Sequence, residues 1–329
     1  MKLNIRNTQL LAFAIALLLF SIAFGAVLRA DRVFGWRDAA HFYYPVYHYV
    51  HDQWLAGSVP LWNPYENLGV PLLGSGSAGV FYPGQLIFFL PLNYATCYTL
   101  FVLLHLLLAA FGAYRLAVQV LTAGDVARRT SPILLAATLA AVCYALGGPV
   151  LFQYCNVVFL IGAAWLPWAL WAIDRMYRMG RLVDAVYPGM ILAMMVLGGD
   201  PQTAYHALLL GALMAFLGRR RTRRPEAGIY RVRKRRAFSL LVATAVAMVM
   251  LSAVQFLPSF EYSGRSQRAM HNAPRSLLEA VTDNVGGGSG KSLSPDGLLC
   301  RNTDRWSHER AMYQFSVGPW RWPELLWPN

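Results

Sequence analysis

Charge is scarce in this 329-residue chain: 14% of it is Asp, Glu, Lys or Arg, against roughly a quarter in soluble domains, while 57% is hydrophobic. A water-soluble core cannot absorb that excess, which excludes an ordinary pair of globular domains. Cysteine is also sparse. Cys97, Cys143, Cys155 and Cys300 are scattered, three of them in or beside apolar segments, with no CxxC pair or metal-ligand spacing. They supply neither a disulfide framework nor a zinc site. Acids are few as well, 16 against 29 basic residues, for a formal charge of +13. A basic excess of this size would suit a nucleic-acid binder, but in a multi-pass membrane protein it marks loops on one side of the bilayer. The positions of the arginines decide between the two.

What is present is a series of long apolar runs. Thr8 to Leu28 contains no charged residue and is long enough to cross about 30 Å of hydrocarbon as a helix. Lys2 and Arg6 precede it as in a signal peptide, and Phe24-Gly25-Ala26 is faintly like a cleavage site. The run is too long for a typical signal-peptide core, however, and further spans follow, so it reads as an uncleaved first helix. The other apolar segments are Ala95 to Tyr114, Pro132 to Leu146, Val157 to Ile173, Ala185 to Leu197, Tyr205 to Leu217 and Phe238 to Leu257. The expected fold is therefore all-α: a polytopic membrane protein of about seven transmembrane helices.

The connections alternate in basicity. Arg115, Arg128 and Arg129 follow the second span, Arg175, Arg178 and Arg181 follow the fourth, and a dense run from Arg219 to Arg236 follows the sixth. The loops after the third and fifth carry no Lys or Arg. Positive-inside logic then assigns every basic loop to the cytoplasm without exception, with the N-terminus inside and the chain from Pro258 outside. A topology signal beside anionic headgroups accounts for the basic run with nothing added, and nucleic acid is not an expected partner. The expected location is the cytoplasmic (inner) membrane. Residues 1–257 form the transmembrane domain, with an extracytoplasmic loop over 29–94, and 258–329 form an extracytoplasmic tail.

That first loop is too long for a simple connector and is rich in Trp, Tyr, Pro and Gly, a composition suited to the membrane interface. Asp38 to Ala56 is expected to form an interfacial helix, with Asp38 acceptable at its start, Gly57 just past its end and a bend at Pro45. On α-helical spacing His41, Tyr44, His48 and Asp52 share one face below Asp38. The fifth and sixth spans are short, the fifth is interrupted by Pro188-Gly189, and the two meet at Gly198-Gly199-Asp200-Pro201-Gln202. Short broken helices meeting at a polar turn can set backbone dipoles and side chains at membrane depth.

An acid just after the first span, followed by aromatics, His and then Pro60-Leu61-Trp62-Asn63-Pro64-Tyr65, is an unusual combination. Together with Asp38 to Pro45, Gly57 to Pro64, Gly69-Val70-Pro71 and Gly79-Val80-Phe81-Tyr82-Pro83, the loop resembles the first outer loop of the bacterial YfhO-like membrane proteins, which belong to the polytopic GT-C glycosyltransferases. The resemblance runs on through Asn156, Trp165-Leu166-Pro167 and the Gly198 to Gln202 turn, to about Pro258. It departs beyond that point: the family continues with more spans, whereas Gly286 to His308 matches nothing in it and the chain stops at Asn329, as a C-terminally truncated member would.

The resemblance implies transfer of a sugar from a polyprenyl-phosphate carrier to a cell-envelope glycan or lipid acceptor on the outer face. It implies a first-loop Asp as general base on the acceptor hydroxyl, or as ligand to a divalent metal, the one cofactor it leaves open. Asp38 is the matching position and Asp31 the reserve; Asp200 is a second candidate acid. A carboxylate can take the hydroxyl proton, and the departing phosphate needs cationic or donor partners, for which Arg37, His41 and the Gly198 to Gln202 turn are at hand. Tyr44, Trp62, Asn63, Gln202 and His206 complete the expected substrate-binding set.

Plainer duties stand beside these. Asp38 also reads as a helix cap, Asp200 as a turn-former before Pro, and His41, His48 and His51 as interfacial hydrogen-bonders in place of metal ligands. His105, alone on an apolar span, reads as bonded to a neighbouring helix. A transporter or lipid flippase is the rival from another class, because broken helices at a polar turn also describe carrier sites. Carriers place ionisable groups at the bilayer midplane, whereas the acids here sit at helix ends. A non-catalytic fragment is a third reading.

Overall fold

The computed structural model describes residue 14 and residues 18–25, 27, 32–66, 68–122, 131–217 and 234–265. The first expected span is described only in part. Asp31, Arg128, Arg129, the basic run from Arg219 to Arg233, Cys300 and the tail past Arg265 lie outside the described residues. The chain divides into two compact units, Met1–Phe260 and Glu261–Asn329.

The described chain is mostly helical. A π-helical turn, Ala39–Tyr43, leads into α1, Tyr44–Leu55. Then come α2 (Tyr94–Leu121), α3 (Ser131–Leu146), α4 (Val157–Met179), α5 (Val186–Leu197), α6 (Pro201–Leu217), α7 (Lys234–Leu251) and α8 (Ala253–Arg265). Among the described residues α2 and α4 are long and apolar enough to cross a membrane. The number rises to four if Pro132–Leu146 with Gly148–Cys155, bent by 44°, and Lys234–Leu251 with Ala253–Ser263, bent by 84°, each count as one span.

Three boundaries differ from expectation. α2 continues past Tyr114 to Leu121 and α4 past Ile173 to Met179, which brings Arg115, Arg175 and Arg178 inside helices. Long cationic side chains allow this, because the stem can lie along apolar surface while the head reaches polar surroundings. The segment expected to run to Leu257 turns at Ser252, whose hydroxyl donates to Met248 O at 2.7 Å, the i−4 back-bond that bends helices. Finally, α5 is not interrupted at Pro188-Gly189. Pro188 falls in its first turn, where a missing N–H costs no hydrogen bond.

α4 is the centre of the bundle, packed against α2 on one side and α5 and α6 on the other, while α7 closes over α5 and α6. Glycine permits the closest approach. A β-carbon on Gly189 of α5 would lie 2.6 Å from Ala247 Cβ and 3.1 Å from Thr244 O of α7, so the two backbones meet without intervening side chains.

The loop end of the bundle is built on aromatic rings. Tyr43, Val46, Tyr47 and Val50 form the buried face of the π turn and α1, and the Tyr47 ring meets Phe88 and Phe101 at 6.0 and 5.6 Å. α1 therefore lies docked on the start of α2. The Pro60 to Pro64 and Gly69 to Pro71 strings pair as a two-stranded antiparallel hairpin, with Trp62 opposite Pro71 and Asn63 opposite Val70, an element the all-α expectation did not contain. Gly69 has φ 114° and lies under the Trp62 indole, where a β-carbon would be 2.3 Å from the ring. That combination leaves room for glycine alone.

Gly79 to Pro83 turns the chain back so that the Tyr82 hydroxyl reaches His105 Nε2 at 2.6 Å while accepting from Trp165 Nε1 at 2.9 Å. His105 Nδ1 donates to Phe101 O at 2.6 Å, which makes Nε2 the acceptor for Tyr82. His105 is thus bonded, as expected of a lone His on a span, but its partner is the loop and not a neighbouring helix. This one hydroxyl ties the loop to both α2 and α4.

Candidate functional site

Asp38 stands where the chain enters the π-helical turn. Its side chain caps nothing: the residue is already helical in φ and ψ, no backbone N–H bonds its carboxylate, and the side chain is exposed. Arg37, just before it, is held at φ 53°, a left-handed conformation that costs a non-glycine residue about 1–2 kcal/mol. Its carbonyl accepts from the Ala40 and His41 N–H groups at 3.1 and 3.2 Å, which helps hold that conformation. A left-handed arginine and a π-helical turn flank one acid, and both features are over-represented at functional sites.

The wider π turn changes which residue follows Asp38. α-Helical spacing puts His41 and Tyr44 on its face; with five residues per hydrogen-bonded turn, Tyr43 enters that position. Tyr43 is buried, and its hydroxyl donates to Asn156 Oδ1 at the head of α4. Burial raises its pKa above the tyrosine range, and the nearby Asp38 and Asp200 carboxylates raise it further. The first-loop acid and the turn acid, 162 positions apart in the chain, therefore lie within electrostatic reach of one hydroxyl, although neither bonds it.

Asp200 is buried, with 1% of its surface exposed. Oδ1 accepts from Thr203 N at 2.9 Å and so caps α6, the duty expected of a turn Asp before Pro. Oδ2 has no partner. The turn is seated by glycine: Gly199, at φ 94°, comes so near the loop that a β-carbon would lie 2.8 Å from Gly76 O. Gln255, also buried, donates from Nε2 to Ser259 Oγ at 2.9 Å and to Leu73 O, while its Oε1 lacks a partner. Asp200 Oδ2 and Gln255 Oε1 are thus two buried acceptors left without a partner among the described residues, while Asp38, exposed, can take a proton.

The other expected residues divide. His41 is exposed on the π turn, and Gln202 and His206 are exposed on α6. Tyr44 packs edge-on against Tyr94 and Tyr98 at 4.8 and 5.1 Å, and its backbone carbonyl accepts from the Tyr94 hydroxyl at 2.9 Å. Trp62, 53% exposed, accepts through its carbonyl from Tyr49 at 3.1 Å, and Asn63 Oδ1 accepts from Tyr65 N at 3.1 Å as a turn-former. None of these makes a hydrogen bond or ring contact to Asp38, Asp200 or Tyr43. His48 pairs with Asp52 at 2.8 Å on the wet face of α1, and no cluster of three His, Cys, Asp or Glu forms among the described residues.

A groove of about 430 Å³ is lined by Trp54, Phe81, Tyr82, Pro83, Gln85 and Phe89, none of them an expected site residue. Tyr43 was hidden in the sequence because nothing in the composition of Asp38 to Leu55 announces a π turn. Asn156, by contrast, belongs to the stretch that carries the family resemblance. The chain matches no protein-family model, no curated protein and no solved structure.

Proposed function

We propose that the chain is an inner-membrane glycosyltransferase of the YfhO-like, GT-C type, moving a sugar from polyprenyl phosphate to an acceptor hydroxyl outside the cytoplasm. The observation that carries this reading is the docking of the first loop on the bundle, where Tyr43 bonds Asn156 and Gly199 meets Gly76, which brings the Asp38 and Asp200 carboxylates within electrostatic reach of one hydroxyl. The seven-span topology, with the arginine-bearing helix ends inside and the loop end outside, belongs to the same reading.

In the transfer, the acceptor oxygen bonds to the anomeric carbon while the bond from that carbon to the phosphate oxygen breaks. The polyprenyl phosphate leaves with the electron pair, and the acceptor proton passes to Asp38. Arg37 is the cation nearest in sequence to meet the phosphate charge. Asp200 Oδ2 and Gln255 Oε1 are buried acceptors without a partner among the described residues, and a sugar hydroxyl would reach them only if the loop above them moved. If a divalent metal is used, Asp38 is its exposed carboxylate ligand.

The test is Asp38→Asn in the full chain, assayed in membranes supplied with radiolabelled polyprenyl-phosphate hexoses. Transfer should fall at least 100-fold with membrane insertion unchanged, because Asn keeps the shape and loses the proton acceptor. Retained activity in Asp38→Asn with loss in Asp200→Asn moves the base to Asp200. Retained activity in both removes the transferase reading and favours a carrier, to which the short α5 and α6 meeting at a buried, half-partnered acid would also be suited.

A further inference from the structure

At the end of the bundle away from the loop, two guanidinium groups share one indole. The Arg115 guanidinium carbon lies 5.2 Å from the centroid of the Trp171 ring, and that of Arg175 lies 5.7 Å from the same centroid. Arg115 comes from α2 and the other two from α4, so the cluster bridges the central helix pair. Two like charges drawn to one ring repel each other, and the acids close by are committed elsewhere. Asp174 Oδ2 is held by Arg178 at 2.7 Å and accepts from Gln119, while Asp184 is held by Arg181 at 3.1 Å. Arg175 adds only the last and smallest of the influences that lower the Asp184 pKa. Further cations gather at this end: Arg236 donates to Gly180 O at 3.0 Å, and Lys234 lies over Phe216. The pair at Trp171 thus lacks a counter-anion from the described residues.

The surface beside the pair is apolar and aromatic. One turn before Arg115, Phe111 is 54% exposed and packs on Trp168 at 5.3 Å; Trp168 in turn meets Trp171 at 6.0 Å. Tyr187 adds its edge to Trp171 from α5 at 6.0 Å. A seam of rings therefore runs from the arginine pair along the α2–α4 joint towards the middle of the bundle. Trp and Tyr at this level are residues of the headgroup zone, and arginine reads phosphate through paired N–H donors.

We propose that Arg115, Arg175 and Trp171 form a binding site for the phosphate of an anionic phospholipid, with an acyl chain lying along Trp168 and Phe111. A free phosphate shares the headgroup chemistry but leaves the seam bare, which argues for the lipid. The proposal needs a chain embedded in a bilayer and is independent of sugar transfer.

The full chain, purified in mild detergent, is titrated with phosphatidylglycerol, with phosphatidylcholine of the same acyl chains, and with inorganic phosphate, and bound species are counted by native mass spectrometry. Phosphatidylglycerol should bind at least tenfold tighter than phosphatidylcholine. Arg115→Gln with Arg175→Gln should weaken phosphatidylglycerol at least tenfold and leave phosphatidylcholine unchanged. Millimolar phosphate should not displace the lipid. Equal binding of the two lipids, or a double variant that binds phosphatidylglycerol as the parent does, overturns the site; displacement by millimolar phosphate overturns the lipid assignment. If the double variant loses its thermal transition, exposed Arg175→Gln alone decides. A loss of fivefold or more supports the site, and a smaller change overturns it.

Discussion

Asp200 lies hard against Gly162: a β-carbon on that glycine would be 1.9 Å from Asp200 Oδ2. The buried carboxylate of the α5–α6 turn thus occupies space that any other residue of α4 would fill. Gly162→Ala gains about 1 kcal/mol of helix propensity but forces the carboxylate to move, an overpacking that costs about 1–3 kcal/mol. The expected net result is a lower thermal midpoint in detergent. In an Asp200→Ala background the same substitution should cost less, because the clashes with the carboxylate are gone and only the β-carbon of residue 200, 3.2 Å away, remains in the way. A higher midpoint for Gly162→Ala alone would show that the carboxylate is not where the packing has it.

The loop is fastened to the bundle through the Tyr82 hydroxyl, which serves His105 and Trp165 together. Tyr82→Phe keeps the ring and strands a buried imidazole nitrogen and an indole N–H, so a loss of about 1–3 kcal/mol is expected. Tyr65→Phe, at a residue 84% exposed, should be neutral. Differential scanning fluorimetry on the two variants checks this, and equal midpoints would refute the fastening.

Tyr43, Tyr47 and Tyr82 all have pKa values raised, in each case first by burial. The folded state therefore keeps these protons to higher pH than the unfolded state does. Their contribution is fully present below the unfolded tyrosine pKa of about 10 and is lost as pH rises beyond it. The thermal midpoint should be level through neutral pH and fall steeply above about pH 10. A midpoint that holds to pH 11 would contradict the burial of these hydroxyls.

Reporter fusions placed after Arg181 and Arg224 should report the cytoplasm, and those after Gly199 and Ser263 the outside. Any single swap among the four breaks the seven-span scheme.

Much of the secondary structure was legible in composition and periodicity. Apolar runs without charge locate α2 through α7, because a helix in hydrocarbon must bond its own backbone and cover it with apolar side chains. Gly57 after α1 marks a helix end through its φ, which needs only near neighbours. The Pro and Gly strings of the loop were visible as well, though not as a hairpin, since pairing Trp62 with Pro71 depends on how a turn closes.

The site was legible only in halves. Asp38 and Asp200 each stood out as an acid at the end of an apolar run, a fact of sequence. That both come within electrostatic reach of Tyr43 depends on the π turn, which sets Tyr43 one turn after Asp38, and on the glycines at 162 and 199 that let the α5–α6 turn seat against α4 and the loop. The sequence alone determined that this chain is largely helical and apolar, with its arginines gathered after alternate apolar runs, because those properties follow from residue type and order. Tertiary structure alone decided that Tyr43 bonds Asn156, that His105 belongs to Tyr82, and that Arg115 and Arg175 meet over Trp171. Such contacts join residues far apart in the chain, and close packing of whole helices selects them, not any local preference.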